Sequence, residues 1–180
     1  MRFSRNPSFD AAVVKASTMS NSNLANALPP VTCFSFTGCS WLLFYHLGVM
    51  RALLAFCPPL LRSRLHFAGA SCGSLVAAAL ACNVGIDAID ELARTLAQVV
   101  FERHWGPVGF MTRMVTTALE RMLPDDAHLL CSGRLHVSLT LATLPLRNVV
   151  VSSFASKPDL IRVLLASCYI PLYAFPTLNP

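Results

Sequence analysis

The chain has 180 residues, of which 54% are hydrophobic, 13% charged and 9% aromatic, enough for one domain with a real core and too apolar for disorder throughout. So little charge, with a mean hydropathy of +0.56, points to a membrane protein, a lipid-handling protein or part of a larger domain. The net charge of +5, from 14 basic and 9 acidic residues, is spread along the chain without a basic run, which argues against nucleic-acid binding.

Residues 1–30 are basic, rich in Ser and Asn, and end at Pro29-Pro30. With no apolar h-region they do not read as a secretory signal; a disordered extension is expected, and a mitochondrial-type leader shares the composition. Val31 to Phe36 is β-branched and aromatic and stops at Thr37-Gly38, predicting a buried strand that runs into a loop. Leu42 to Phe56 predicts a helix that is apolar nearly all round, ended by Cys57-Pro58-Pro59. Leu65 to Ala68 then predicts a short strand, Gly69-Ala70-Ser71-Cys72-Gly73 a sharp turn, and Ser74 to Cys82 a small-residue helix closed by Asn83-Val84-Gly85.

Two further helices are predicted, from Asp87 to about Phe101 and from about Phe110 to Met122. The second carries Phe110, Met111, Met114, Val115, Leu119 and Met122 at helical spacing. That stripe suits a core, and methionine would also suit contact with lipid. Arg134 to Leu141 and Asn148 to Phe154 read as strands joined through Leu144-Pro145-Leu146, and Ser156-Lys157-Pro158-Asp159 as a capping box that opens a helix to about Cys168. The alternation of strands and helices is that of an α/β layered domain. After Ile170 the chain turns Pro-rich and stops without a closing strand, so residues 31–180 are expected to be a partial domain.

Residues 31–50 and 65–86 are apolar enough to suggest membrane spans, but their Gly, Ser and Thr content fits strand, turn and helix better. The seven cysteines, Cys33, Cys39, Cys57, Cys72, Cys82, Cys131 and Cys168, contain no C-x-x-C pair, so reduced and mostly buried thiols are expected rather than a zinc site or a disulfide framework. Asp87, Asp90 and Glu91 read as the acidic first turn of a helix, and His46, His66, His104, His128 and His136 as isolated structural residues. No metal and no cofactor is expected.

The chemistry concentrates at Gly69-Ala70-Ser71-Cys72-Gly73, a G-x-S-x-G between a predicted strand and a predicted helix. This is the context of a nucleophile elbow, in which the strained turn lifts the serine hydroxyl clear and the glycines let strand and helix approach. The following helix would aim its free N–H groups at the site, so the Cys72 amide is a candidate oxyanion donor. The loop Gly38-Cys39-Ser40 is where further amides would come from.

The order of strand, Gly38-Cys39-Ser40 loop, Tyr45-His46-Leu47-Gly48-Val49 and Gly69-Ala70-Ser71-Cys72-Gly73 resembles the patatin-like phospholipase family, most closely its adipose triglyceride lipase and adiponutrin branch. The likeness runs on through Leu123-Pro124-Asp125-Asp126-Ala127-His128, Cys131-Ser132-Gly133-Arg134-Leu135, Asn148 to Lys157 and Ile170-Pro171, in order over about residues 31 to 175. The resemblance implies a three-layer α/β/α sandwich and a Ser–Asp dyad with Ser71 as nucleophile. It also implies Gly38, Cys39, Ser40 and Cys72 as oxyanion positions, and hydrolysis of glycerolipid acyl esters through an acyl-enzyme. Two departures stand out. The family loop G-x-G-x-x-G has Ser40 and Leu43 at its second and third glycines, and the Asp-Gly segment that carries the dyad Asp is not present in the chain. Asp125, Asp126 and Asp159 match non-catalytic positions.

Three classes of function follow. The first is an intracellular lipid acyl hydrolase at a lipid droplet or membrane surface, with a protein co-regulator as a candidate partner. The second is an inactive member that binds a lipid surface or a partner. The third, a small membrane-spanning protein, ranks last.

Overall fold

The computed structural model describes residues 33–56, 65–104, 106 and 108–170. The predicted N-terminal extension, the start of the first strand at Val31, the Cys57-Pro58-Pro59 stop and the Pro-rich stretch after Ile170 lie outside the described residues. Strand β1 spans Cys33–Phe36. A single 3-10 turn, Ser40–Leu42, leads into helix α1, Leu43–Phe56. Strand β2, His66–Ala70, is followed by α2, Cys72–Ala81, α3, Ile86–Phe101, and α4, Met111–Met122. A five-residue helix α5, Ala127–Cys131, precedes β3, Leu135–Leu141, β4, Arg147–Val151, and α6, Lys157–Cys168.

The sheet order is β1-β2-β3-β4, with β1-β2 and β2-β3 parallel and β3-β4 antiparallel. This is the mixed α/β architecture expected from the alternation of elements. Period-two alternation sends Phe67, Leu135 and Val137 into the core, and these are buried together with Phe36. Cys33, His66 and Thr140 point the other way and are exposed. The core is one cluster that joins that strand face to Leu47 and Met50 of α1, Val76 and Ala77 to Ala79 of α2, Leu119 of α4 and Leu160 and Leu164 of α6, with α2 and α6 the helices that pack on the strands. Burying each of the larger side chains contributes about 1.5–3 kcal/mol.

The elements begin and end where local chemistry sets them. The Ser156 hydroxyl accepts from Asp159 N–H at 3.2 Å, and the Asp159 carboxylate accepts from Ala155 N–H at 3.0 Å, so the predicted capping box opens α6. Past α2, Asn83 sits at φ 55°, where its N–H donates to Leu80 C=O and the Val84 N–H to Ala79 C=O. That is a Schellman stop with Asn in the glycine position. The Lys157 ammonium donates to the Glu120 and Leu123 carbonyls, at 3.1 and 2.6 Å, closing the end of α4, and lies 3.4 Å from Asp125.

Segment 65–86 folds as strand, turn and helix, and no described helix is long and apolar enough to cross a membrane. Its small residues serve close packing. Ala77, Ala78 and Ala79 are wholly buried, in a helix packed against both the sheet and neighbouring helices. At Gly69 a Cβ would lie 2.6 Å from the Gly73 carbonyl, and at Gly73 a Cβ would lie 2.6 Å from the Thr37 oxygen. Gly48, inside α1, has nothing within 4 Å of its Cβ position. Replacing Gly73 with Ala is therefore expected to destabilise the fold by about 3 kcal/mol or more, whereas Gly48→Ala gains about 0.5–1 kcal/mol of helix propensity. Urea unfolding of the two variants checks this, and a Gly73→Ala protein as stable as the parent would refute the close approach.

Candidate active site

Strand β2 ends at Ala70 and α2 starts at Cys72, so the entire change of direction falls on Ser71, at φ 52° and ψ −132°. A non-glycine residue in that region carries strain of about 1–3 kcal/mol and persists only where its surroundings hold it. Three hydrogen bonds do so. The Ser71 C=O accepts from both the N–H and the hydroxyl of Ser74, at 2.8 and 2.6 Å, while the Ser71 N–H donates to the Ser167 hydroxyl at 2.8 Å. The backbone polar groups of Ser71 are thus occupied, and its side chain faces a cavity.

The cavity has a volume of about 160 Å³. Its floor and walls are Leu75 and Val76 of α2, Ile89, Leu92, Ala93 and Leu96 of α3, and Met111, Met114, Val115, Ala118, Leu119 and Met122 of α4. Ser40, Trp41, Leu43, Ser71, Cys72, Cys168 and Ile170 complete the lining. The methionine stripe is therefore both core and cavity wall. A largely apolar space of this kind, open on one side, suits an apolar guest.

The structure brings the sequence-predicted site residues together. Gly38 lies so close to the elbow that a Cβ there would be 3.2 Å from Ser71 Cβ and 3.4 Å from Ala70 O. Cys72, buried behind the elbow, takes the Cys39 N–H on its sulfur at 3.2 Å, and the two sulfurs are 3.4 Å apart. That amide, a candidate oxyanion donor, is directed at Cys72. The His46 ring donates from Nε2 to the Thr37 carbonyl at 3.0 Å and packs edge-on against Phe36, so it holds the loop. Asp125 and Asp159 are engaged in the Lys157 and capping contacts described above.

The two loop departures differ in cost. Leu43 sits at φ −51° as an ordinary helical residue, but Ser40 is at φ 52°, so only the second missing glycine strains the backbone. Sequence reasoning missed Ser167, Ser138 and Cys168, which β3 and the end of α6 bring to the elbow. Cys168 lines the same cavity as Ser71, and burial pushes its thiol up to about 12. Burial, with the Cys72 hydrogen bond, pushes Cys39 up to about 11. Both are neutral thiols near pH 7. All six described cysteines are free, with Cys72, Cys82 and Cys131 buried and Cys33 exposed.

The sequence model of the family described as patatin-like phospholipase matches residues 34–179. The chain belongs to the patatin-like phospholipase family. It is 40% identical over 145 residues to human patatin-like phospholipase domain-containing protein 4, covering 78% of this chain and 56% of that protein. It is 37% identical over 142 residues to the human omega-hydroxyceramide transacylase, covering 77% and 26%. With the mouse 1-acylglycerol-3-phosphate O-acyltransferase Pnpla3 the identity is 36% over 143 residues, covering 78% and 34%. The chain thus spans between about a quarter and just over half the length of these relatives.

Two predictions follow from this geometry. Ser40→Gly relieves the left-handed strain and is expected to raise unfolding free energy by about 1 kcal/mol in urea titration; an unchanged midpoint would remove the strain from the loop. Because thiolate is the reactive form, alkylation of Cys39 and Cys168 by iodoacetamide at pH 8 is expected to be about tenfold or more slower than that of exposed Cys33, and to keep rising up to pH 10. Peptide mass spectrometry reads the rates, and fast modification of Cys39 would contradict its burial.

Proposed function

We propose that this chain carries the nucleophile half of a lipid acyl hydrolase, in which Ser71 attacks the carbonyl of a glycerolipid acyl ester. The observation that supports this reading best is a strained serine with both backbone polar groups engaged, whose hydroxyl faces an apolar cavity of about 160 Å³. In such a site the acyl chain lies along the α3 and α4 walls, amides at the start of α2 and in the Gly38-Cys39-Ser40 loop receive the developing oxyanion, the alcohol leaves with a proton, and water entering from the open side then cleaves the acyl-enzyme to free acid and Ser71. The hydroxyl proton passes to a carboxylate. The family likeness implies for this an Asp within an Asp-Gly step, which this sequence does not contain. Glycerolipid at a lipid droplet or membrane surface is the proposed substrate setting, with exposed Leu42, Tyr45 and Phe101 on the outer side of the Trp41 rim.

A second reading, a lipid-surface binder without turnover, is favoured by Ser40 in place of a loop glycine and by the Cys39 N–H directed at sulfur. One experiment separates them. In a protein that also carries the family's Asp-Gly segment, a fluorophosphonate probe is expected to label Ser71, and Ser71→Ala to abolish labelling and lower ester hydrolysis by about a thousandfold or more. Labelling that persists in Ser71→Ala removes the nucleophile assignment. If the protein with that segment binds phospholipid vesicles but takes no probe, the second reading is supported.

A further inference from the structure

The parallel ladder between β2 and β3 has a regular donor pattern that ends in an unusual way. Phe67 is in register with Leu135, and its N–H donates to the carbonyl one residue earlier, Arg134, at 2.7 Å. Donors in a parallel ladder recur every second residue, so the series continues from Gly69 to His136 and from Ser71 to Ser138. The pairing in fact stops at Ala70 opposite Ser138, because Ser71 leaves the strand at φ 52°. Into that last rung comes a side chain from another element. The Ser167 hydroxyl accepts from Ser71 N–H at 2.8 Å and donates to Ser138 C=O at 2.8 Å.

We infer that Ser167 is a positioning residue for Ser71: its hydroxyl is a one-atom insert in the sheet ladder that holds the elbow at its strained angle while keeping it tied to β3. This rests on the reading of Ser71 as nucleophile, yet its structural half stands apart from catalysis. A hydroxyl is suited to the place because it accepts and donates at once. Alanine would leave the half-buried Ser71 N–H and Ser138 C=O unpaired, whereas threonine keeps both bonds. Ser167 reaches the elbow from the last turn of α6, whose first turn is fixed by the Ser156–Asp159 capping box.

The test compares the parent chain with Ser167→Ala, Ser167→Thr and, as a surface control on the same helix, Arg162→Ala. Loss of one hydrogen bond predicts about tenfold faster hydrogen exchange of the Ser71 amide in Ser167→Ala, by nitrogen-15 NMR, with parental exchange in Ser167→Thr and Arg162→Ala. With a fluorophosphonate, Ser167→Ala is expected to lower the maximal rate of labelling about tenfold and leave half-saturation unchanged, since the hydroxyl orients the nucleophile without forming the cavity. If Ser167→Ala does not fold, Ser167→Cys, which keeps the volume and weakens both bonds, carries the same comparison. Unchanged Ser71 amide exchange in the alanine or cysteine variant overturns the inference, as does failure of threonine to rescue. A parent chain that takes no probe bears on the activation of Ser71 and not on Ser167, whose role amide exchange then decides.

Discussion

The structure depends on how closely α2 approaches the sheet. A methyl group at Gly69 would meet the Gly73 backbone, and one at Gly73 would meet the carbonyls that end β1. With that spacing fixed, the chain has only Ser71 in which to turn from strand to helix, and φ 52° is the result. The strain at the elbow is thus a consequence of backbone packing behind it. The same approach places the start of α2 beside the Gly38-Cys39-Ser40 loop and lets the Cys72 sulfur reach the Cys39 amide.

Around this junction the rest of the fold divides into supports and walls. Strand β3 and helix α6 support the elbow through Ser138 and Ser167, while α3 and α4 supply the apolar wall opposite it. Wall and support are tied together: Lys157, in the first turn of α6, closes the end of α4. One lysine therefore fixes the relative placement of a cavity wall and of the helix that holds the elbow, and a displacement of either would reach the site through the other.

What the sequence revealed was set by how local the cause is. The G-x-S-x-G and its glycine contacts were legible because a steric requirement for no side chain leaves a residue-specific mark. The capping box of α6 was legible because its partners lie three residues apart. Boundaries moved where one turn is shared between elements: α2 begins at Cys72 rather than Ser74, β2 runs on to Ala70, β4 ends at Val151, and a 3-10 turn precedes α1. Helix α5 went unseen because five residues carry too little periodicity. Ser167 and Ser138 were invisible for a different reason. A serine 96 residues from its partner has no spacing that sets it apart from any other serine, and only the packing of α6 on β3 brings it to the elbow. The positive φ at Ser40 could be suspected from the family's loop glycine but needed the structure to distinguish it from Leu43.

The bond between the Cys39 amide and the Cys72 sulfur has a consequence of its own. Sulfur is a weak, diffuse acceptor, so exchanging it for a compact anionic oxygen is favourable. A carbonyl oxygen in the same place would compete far more strongly for the amide. The Cys39 N–H is therefore a donor engaged by a weak partner, and a stronger acceptor reaching it would displace the sulfur.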